Sequence, residues 1–334
     1  RGIGLAISKS CAQAGANVVI AAKTAVETPK LSGTIYSVAE EIKAAGGKAL
    51  PLILDVRDEQ QIHSAIQQTV ETFGGLDVLI NNAGAIALTG VESTSLKQYD
   101  LIQTINHRAT FICAQAALPY LKKSSNPHIL SLSPPVNMSP KWLGMLSPYA
   151  LSKYGMSILT LGMAEEFRQY GISCNTLWPE TYIATAAVSK NLGEENTLQL
   201  SRKPEIMADA AYAIYTTNRS ELTGQSLTDE QALARIGITE LGGYACIEGK
   251  TELQKDFLFV LIKSLSTSEK RQFKLYVNRL GINVDAKFLL LFSELDKMKE
   301  YNEEIILEKK ISSKLQLSNL KAHLYKQILV SLRL

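Results

Sequence analysis

Tyr149 and Lys153 stand four residues apart in Ser147-Pro148-Tyr149-Ala150-Leu151-Ser152-Lys153, a spacing that puts two side chains on one face of a helix. A phenol titrates at about 10 and is a poor base at neutral pH. An ammonium a few ångströms away favours the phenolate and lowers that value. Such a pair can give a proton to a ketone under reduction, or take one from an alcohol under oxidation. In isolation the same spacing is more often an ordinary aromatic and lysine on a helix, so the neighbouring residues have to decide.

Several other positions bear on the same chemistry. Arg1-Gly2-Ile3-Gly4 stands at a helix start, where glycines let backbone N–H groups approach a phosphate. Asn81-Asn82-Ala83-Gly84 follows the strand-like Asp77-Val78-Leu79-Ile80, at the strand end where open α/β sheets bind ligands. Asp55 also ends a strand; it is placed to accept from an adenine amine, or to serve as a turn or cap aspartate. Asn106 could hold a water in a proton relay, or be a polar residue that bends a helix.

A scaffold must bring these strand ends to one helix face. Up to about residue 230, short β-branched runs alternate with longer amphipathic stretches, the pattern of βα units and a parallel sheet. Strands are expected at 17–21, 48–54, 76–80, 128–132 and 173–177, with a last one near 225–227. Helices are expected at 4–13, 35–45, 59–73, 96–104 running on to 121, 149–168 and 204–215. Val18-Val19-Ile20 and Val78-Leu79-Ile80 are apolar throughout, as strands covered on both faces should be.

The last part of the chain has no strand signal. Ser266-Thr267-Ser268-Glu269 has the form of a capping box opening a helix that Gly281 can end. Asp285 can cap a second helix to about Tyr301, a shorter one is expected at 303–310, and a last one runs from about Ser318 to the end. Leu275, Leu289, Leu295, Leu320, Leu324, Ile328 and Leu332 supply the apolar stripes. Residues 259–334 carry 14 Lys+Arg against 8 Asp+Glu, whereas residues 1–258 carry 21 against 24. The lysines mostly alternate with glutamates, so this step marks a change of module rather than a nucleic-acid surface. The join near 256–260 has no linker composition.

Bulk properties exclude some classes. No apolar run reaches the roughly 18–20 residues of a membrane-spanning helix. Cys11, Cys113, Cys174 and Cys246 are far apart among apolar or small neighbours, as reduced core residues of a cytoplasmic protein would be. The four histidines are equally scattered, so the sequence offers no metal site.

RGIG, DV (Asp55-Val56), NNAG, YxxxK and TGQ (Thr223-Gly224-Gln225) together resemble the short-chain dehydrogenase/reductase family in order and interval, over about residues 1–258. The expected fold class is therefore α/β: a Rossmann-type doubly wound parallel sheet with its first strand missing, plus a small all-α carboxyl-terminal segment over 259–334. The resemblance implies a dinucleotide-binding oxidoreductase in which Tyr149 is the proton donor and acceptor. Lys153 binds the nicotinamide ribose and tunes the tyrosine, and Asn106 extends the relay. Arg1, Gly2, Ile3, Gly4, Asp55, Val56, Asn82, Ala83 and Gly84 then line the cofactor cleft. NAD-preferring sites place an acid after the second strand. Here that strand ends in Ala21-Ala22-Lys23, a cation suited to a 2′-phosphate, and Arg1 can fork onto the same group. NADP(H) is thus expected ahead of NAD(H).

Three departures from the family pattern stand out. The threonine-glycine that opens the family's loop, and the strand before it, are absent, which leaves an unpaired slot in the sheet. Proline, as Pro134 in Ser131-Leu132-Ser133-Pro134-Pro135, occupies the place of the family's catalytic serine. Ser133 is the adjacent hydroxyl, with Ser139 further along; either Ser133 polarises the substrate carbonyl, or activation rests on Tyr149. The family's proline-glycine is Pro179-Glu180 here, so the carboxamide contact falls to Ile183 or Thr185. The expected activity is hydride transfer between nicotinamide and an apolar, lipid-like alcohol or ketone, in a homo-oligomer. The rival is a catalytically weak or inactive cofactor-binding or regulatory protein with a helical interaction module. A narrower alternative keeps the fold but performs enoyl reduction or epimerisation.

Overall fold

The computed structural model of the chain describes residues 1–27, 33–192, 201–219, 221–247, 257–279, 286–299 and 301–312, with isolated positions at 198 and between 316 and 331. The chain divides into two compact units, Arg1–Cys246 and Ile247–Leu334.

In the first unit the main parallel strands are β1 (Asn17–Ala22), β2 (Lys48–Ile53), β3 (Val78–Asn81), β4 (His128–Ser131), β5 (Ser173–Trp178) and β8 (Ser226–Thr228). Two more, β6 (Tyr182–Ile183) and β7 (Ser201–Arg202), are too short for any alternation to register in the sequence. β1 pairs with β2, Asn17 opposite Lys48. β3, β4, β5 and β8 form a separate four-stranded parallel sheet in that order. Among the described residues no ladder joins β1 to β3.

Alternating side chains of β4 feed two apolar layers. Ile129 packs with Ala114, Ala117 and Leu121 of α5 (Ala109–Leu121) and with Met163, Ala164 and Phe167. Leu130 packs with Ile7 of α1 (Gly2–Gln13), Leu177, Leu227 and the helix Glu205–Thr216 through Ile206, Met207 and Ile214. Full burial of each such side chain is worth about 1.5–3 kcal/mol over leaving it in water, and β5 feeds the same two layers through Cys174 and Leu177.

Two helices differ from expectation. The segment 96–121 is not one α-helix: α4 (Leu96–Gln103) passes into a π-helical segment, Thr104–Arg108, before α5 begins. Helix α6 (Pro140–Glu166) starts at Pro140 rather than Tyr149 and breaks at Leu146 (φ −154°, ψ 35°). Pro148 has no amide hydrogen, so it belongs in the first turn of a helix; the break makes that first turn, and the segment after it carries Tyr149.

The second unit is helical, with Phe257–Ser264, Thr267–Arg279, Ala286–Lys297 and Glu303–Glu308. Phe273, Leu291, Phe292, Leu295, Ile306, Leu324 and Ile328 are in its core, the rings of Phe273 and Phe292 lying 4.6 Å apart. The capping box is formed: Ser266 Oγ accepts from the Glu269 N–H at 3.2 Å, and the Glu269 carboxylate accepts from the Ser266 N–H at 2.7 Å. Leu275, expected in the apolar stripe, is exposed. Asp256, Gly281, Asp285, Ser318 and Leu332 lie outside the described residues. No helix among the described residues is long and apolar enough to cross a membrane. All four cysteines are free thiols; Cys174 is buried, Cys11 and Cys113 are partly buried and pack against the apolar clusters, and Cys246 is partly buried.

Candidate active site

Asn106 ties three elements together at the carboxyl ends of the four-stranded sheet. It is 0% exposed. Its Oδ1 accepts from the Ala85 N–H at 2.9 Å, and its Nδ2 donates to the Ala85 carbonyl at 3.1 Å and to Ser152 Oγ at 2.8 Å. Ser152 Oγ donates onward to the Tyr149 carbonyl at 2.7 Å. The loop after β3 is thereby fastened to the helix that carries Tyr149 and Lys153. Asn106 sits within the π segment, a geometry that concentrates at functional sites. A Cβ built on Gly84 would lie 3.5 Å from Asn106 Oδ1 and 3.8 Å from Lys153 Nζ, so Gly84, Asn106 and Lys153 converge. Asn82 and Ala83 are exposed beside them.

Lys153 is only 6% exposed. Its Nζ donates to the Leu132 carbonyl at 2.6 Å, meets Met156 Sδ at 3.4 Å and lies 5.3 Å from the centre of the Trp178 ring. None of these is a carboxylate. Burial pulls the ammonium down to about 8 and pushes the Tyr149 phenol up to about 12. The expectation that the lysine lowers the tyrosine is therefore corrected for the free chain: desolvation disfavours the charged form of both.

Ser133 is wholly buried just past β4, and its hydroxyl has no hydrogen-bond partner. The next carbonyl, that of Pro134, accepts from Ser157 Oγ at 2.6 Å. Gln225 leads into β8, and Thr223 Oγ1 accepts from the Cys174 N–H of β5 at 3.1 Å.

A second group of residues gathers at the start of α1. Its first turn has neither a capping side chain nor an acidic residue, which leaves amide hydrogens for an anion. Gly2 has φ +62°, and a Cβ there would stand 3.2 Å from Thr185 Cγ2. A Cβ on Gly4 would stand 2.7 Å from Asn82 Nδ2, inside contact distance. Glycine thus lets this turn close onto Asn82 and Thr185. Thr185 Oγ1 accepts from the Val188 N–H at 3.3 Å, at the start of α7 (Ala186–Leu192). Ile183 and Ile3 pack into the core beside Ile7, and Val56 packs near Leu54 and Ile62, so their side chains are structural and their backbones are what remains for a ligand. Pro179 is half-buried just past β5.

The ends of β1 and β2 carry the charges. Asp55 accepts from Arg57 through Nε at 2.9 Å and Nη2 at 2.6 Å, and Lys23 Nζ stands 3.1 Å away. The Arg57 guanidinium holds the Asp55 carboxyl well below the usual carboxylate range, with Lys23 adding to it. Arg1 Nη2 donates to Thr24 Oγ1 at 3.3 Å. Lys23 is thus paired with Asp55, whose carboxylate is already engaged by Arg57. An uncapped helix start, close-packed glycines and a cation-rich strand end are together what an anionic dinucleotide requires.

The short chain dehydrogenase model matches residues 1–196. The chain belongs to that family. Hydroxysteroid dehydrogenase-like protein 2 of Danio rerio is 54% identical over 258 residues, 77% of this chain and 61% of that protein. The Homo sapiens protein of the same name is 50% identical over 257 residues, 77% of this chain and 60% of its own length. The chain thus spans about three fifths of the curated relatives it matches. The crystal structure of a short chain dehydrogenase from Mycobacterium thermoresistibile is 49% identical and superposes with a TM-score of 0.71, covering 75% of this chain and 89% of that one.

Within this short chain dehydrogenase site, four contributors carry little signal in the sequence. Ser152 lies inside the Tyr149–Lys153 interval, yet only the fold reveals its link to Asn106. Trp178 and the Leu132 carbonyl reach Lys153 from two strand ends. Arg57 is betrayed only by its position two residues after Asp55.

Proposed function

We propose that the first unit, Arg1–Cys246, forms an NADP(H)-dependent oxidoreductase moving a hydride between nicotinamide and a secondary alcohol or ketone, with no part in that chemistry assigned to the helical second unit. The carrying observation is the convergence of Gly84, Asn106 and Lys153 beside the helix of Tyr149. The nicotinamide supplies or takes the hydride when it is bound. Tyr149, held neutral by burial, gives its proton to the carbonyl oxygen in reduction and recovers it in oxidation. Lys153 has one N–H on the Leu132 carbonyl and a second towards Met156 Sδ, which leaves one donor for a ribose hydroxyl or the phenol. Asn106 holds the loop and extends the proton path. Ser133 is the hydroxyl nearest in sequence to the missing serine; Pro134 offers no donor, so carbonyl activation leans on Tyr149.

Arg1, Lys23 and Arg57 support a 2′-phosphate, and so NADP(H). Asp55 already engages two of the three, which keeps NAD(H) as the alternative. Exposed Ile86, Leu88, Val136, Met138 and Trp142, on the segments that follow β3 and β4, favour an apolar, lipid-like substrate. Exposed Leu101, Phe111, Leu151 and Ile158, on α4, α5 and α6, favour a homo-oligomer. Four free thiols suit a reducing compartment such as the cytoplasm.

The test is NADPH oxidation over a panel of apolar ketones. Tyr149→Phe is expected to lower turnover by at least about 10²-fold while NADPH binding stays within about twofold. A variant with full turnover rejects the role. Pro134, which offers no hydroxyl, favours the second reading, a cofactor-binding regulator; NADPH binding by the wild-type chain without turnover on any carbonyl would establish it.

A further inference from the structure

One buried charged cluster takes no part in the proton chemistry. Arg202 is 2% exposed and Asp229 0%. Arg202 Nη2 donates to Glu230 Oε1 at 2.6 Å, whereas Nη1 stands 3.8 Å from Asp229 Oδ2, an ion pair without a hydrogen bond. Arg202 Nε and Nη1 and Asp229 Oδ2 are all buried without hydrogen-bond partners. Burying charges so loosely paired costs more than their attraction returns, and such pairs are weak contributors to stability. Their geometric effect is more telling.

Asp229 Oδ1 accepts from the Glu180 N–H at 2.9 Å. Four residues on, the Ala184 N–H donates to the Arg202 carbonyl at 2.9 Å, and Ile183 faces Arg202 in the β6–β7 register. The two charged residues therefore hold both ends of the segment 180–184, one through its carboxylate and the other through its backbone. Thr185 follows at once, with its methyl group against Gly2. Glu180 stands where the family has a glycine, so the segment's path depends on what fixes that amide.

We infer that Arg202 and Asp229 are positioning residues that clamp the segment 180–184, so that the Ile183 backbone and Thr185 stand at the nicotinamide end of the cofactor cleft, a role that rests on the cofactor reading above. The pair touches no reacting atom. It acts only through the position of that loop.

Two measurements on the full chain test this. In Asp229→Leu, amide hydrogen exchange of 180–184 is expected to quicken by about tenfold or more, the loss of one charge-assisted hydrogen bond, with β4 and β5 unchanged. Unaltered protection overturns the clamp. Should Asp229→Leu unfold, the double variant Arg202→Met/Asp229→Leu fills the site with apolar side chains of similar size and still lacks the acceptor for the Glu180 amide. In the second measurement, either variant is expected to bind NADPH about tenfold more weakly yet hold adenosine 2′,5′-bisphosphate, which lacks the nicotinamide, within about twofold. Equal weakening of both ligands points to a general structural role and overturns the assignment to the nicotinamide end. A wild-type chain that binds neither nucleotide overturns the cofactor reading and the nicotinamide assignment together, while the exchange result still decides the clamp by itself.

Discussion

In the four-stranded sheet, every residue of β4 and all of β5 except Trp178 are buried; in the two-stranded sheet, only Val18 of β1 and Leu52 of β2 are. The site residues follow their scaffolds. Asn106 and Lys153 are enclosed and fixed by hydrogen bonds. Lys23 and Arg57 are long, exposed side chains around one carboxylate, in pairs that water and salt weaken. The Asn106–Lys153 cluster is thus fixed by its own hydrogen bonds, whereas the cations at the ends of β1 and β2 can rearrange around what they meet.

The contrast can be broken first at Asn106. Asn106→Leu strands the Ala85 N–H and carbonyl and removes a partner of Ser152. It should cost about 2–4 kcal/mol in denaturant unfolding, since buried unpaired groups retain their full desolvation penalty. A loss below about 0.5 kcal/mol would mean that the enclosed half is less preassembled than its hydrogen bonds indicate.

A smaller effect belongs to His128, the first residue of β4. Its Nε2 lies 3.1 Å from Asn126 Oδ1 and its ring meets the edge of Tyr215. Burial, with Arg219 adding to it, lowers its pKa from 6.5 to about 4. Because the folded value is the lower one, the unfolded chain takes up the proton first. Stability is therefore full above about 6.5 and falls as pH drops towards about 4. Between pH 7 and pH 5 the loss should be about 1–2 kcal/mol. A His128→Phe variant that loses as much over the same interval would assign the acid sensitivity elsewhere.

The smallest change is expected on the open side. Lys23→Ala should reduce the preference for NADPH over NADH by about tenfold in dissociation constants at low salt, and by less at high salt. Thermal stability should barely move. A preference that stays fixed would shift the phosphate contact to Arg1 and Arg57.

Much of this was legible in the sequence, for definite reasons. Runs such as Val78-Leu79-Ile80 mark strands buried on both faces, and β1, β2, β3, β4, β5 and β8 all fall close to where apolar runs and turn residues put them. Asn106, Gly84 and Lys153, far apart in the chain, were named from motifs and do converge. Roles that depend on three-dimensional neighbours were not legible. Ser152 is one hydroxyl among many until Asn106 is seen beside it. Arg202 resembles a surface arginine, because the burial that distinguishes it comes from β6, β7 and the helix Asp229–Arg235 closing around it. The spacing of Tyr149 and Lys153 likewise reveals a nearby charge but not the burial that raises the phenol and lowers the ammonium.

The π segment at Thr104–Arg108 has a consequence for how this chain can vary. Each residue of an α-helix turns the chain by about 100°, so one extra residue in a turn changes the phase of everything beyond it. Deleting a residue from 104–108 would restore an unbroken α-helical ladder and rotate one side against the other. Either Asn106 would swing away from Ala85 and Ser152, or Ala114, Ala117 and Leu121 would leave Ile129. The join between Asn106 and the core is thus written in chain length as well as in residue identity, and substitution at any single position cannot undo a lost residue there.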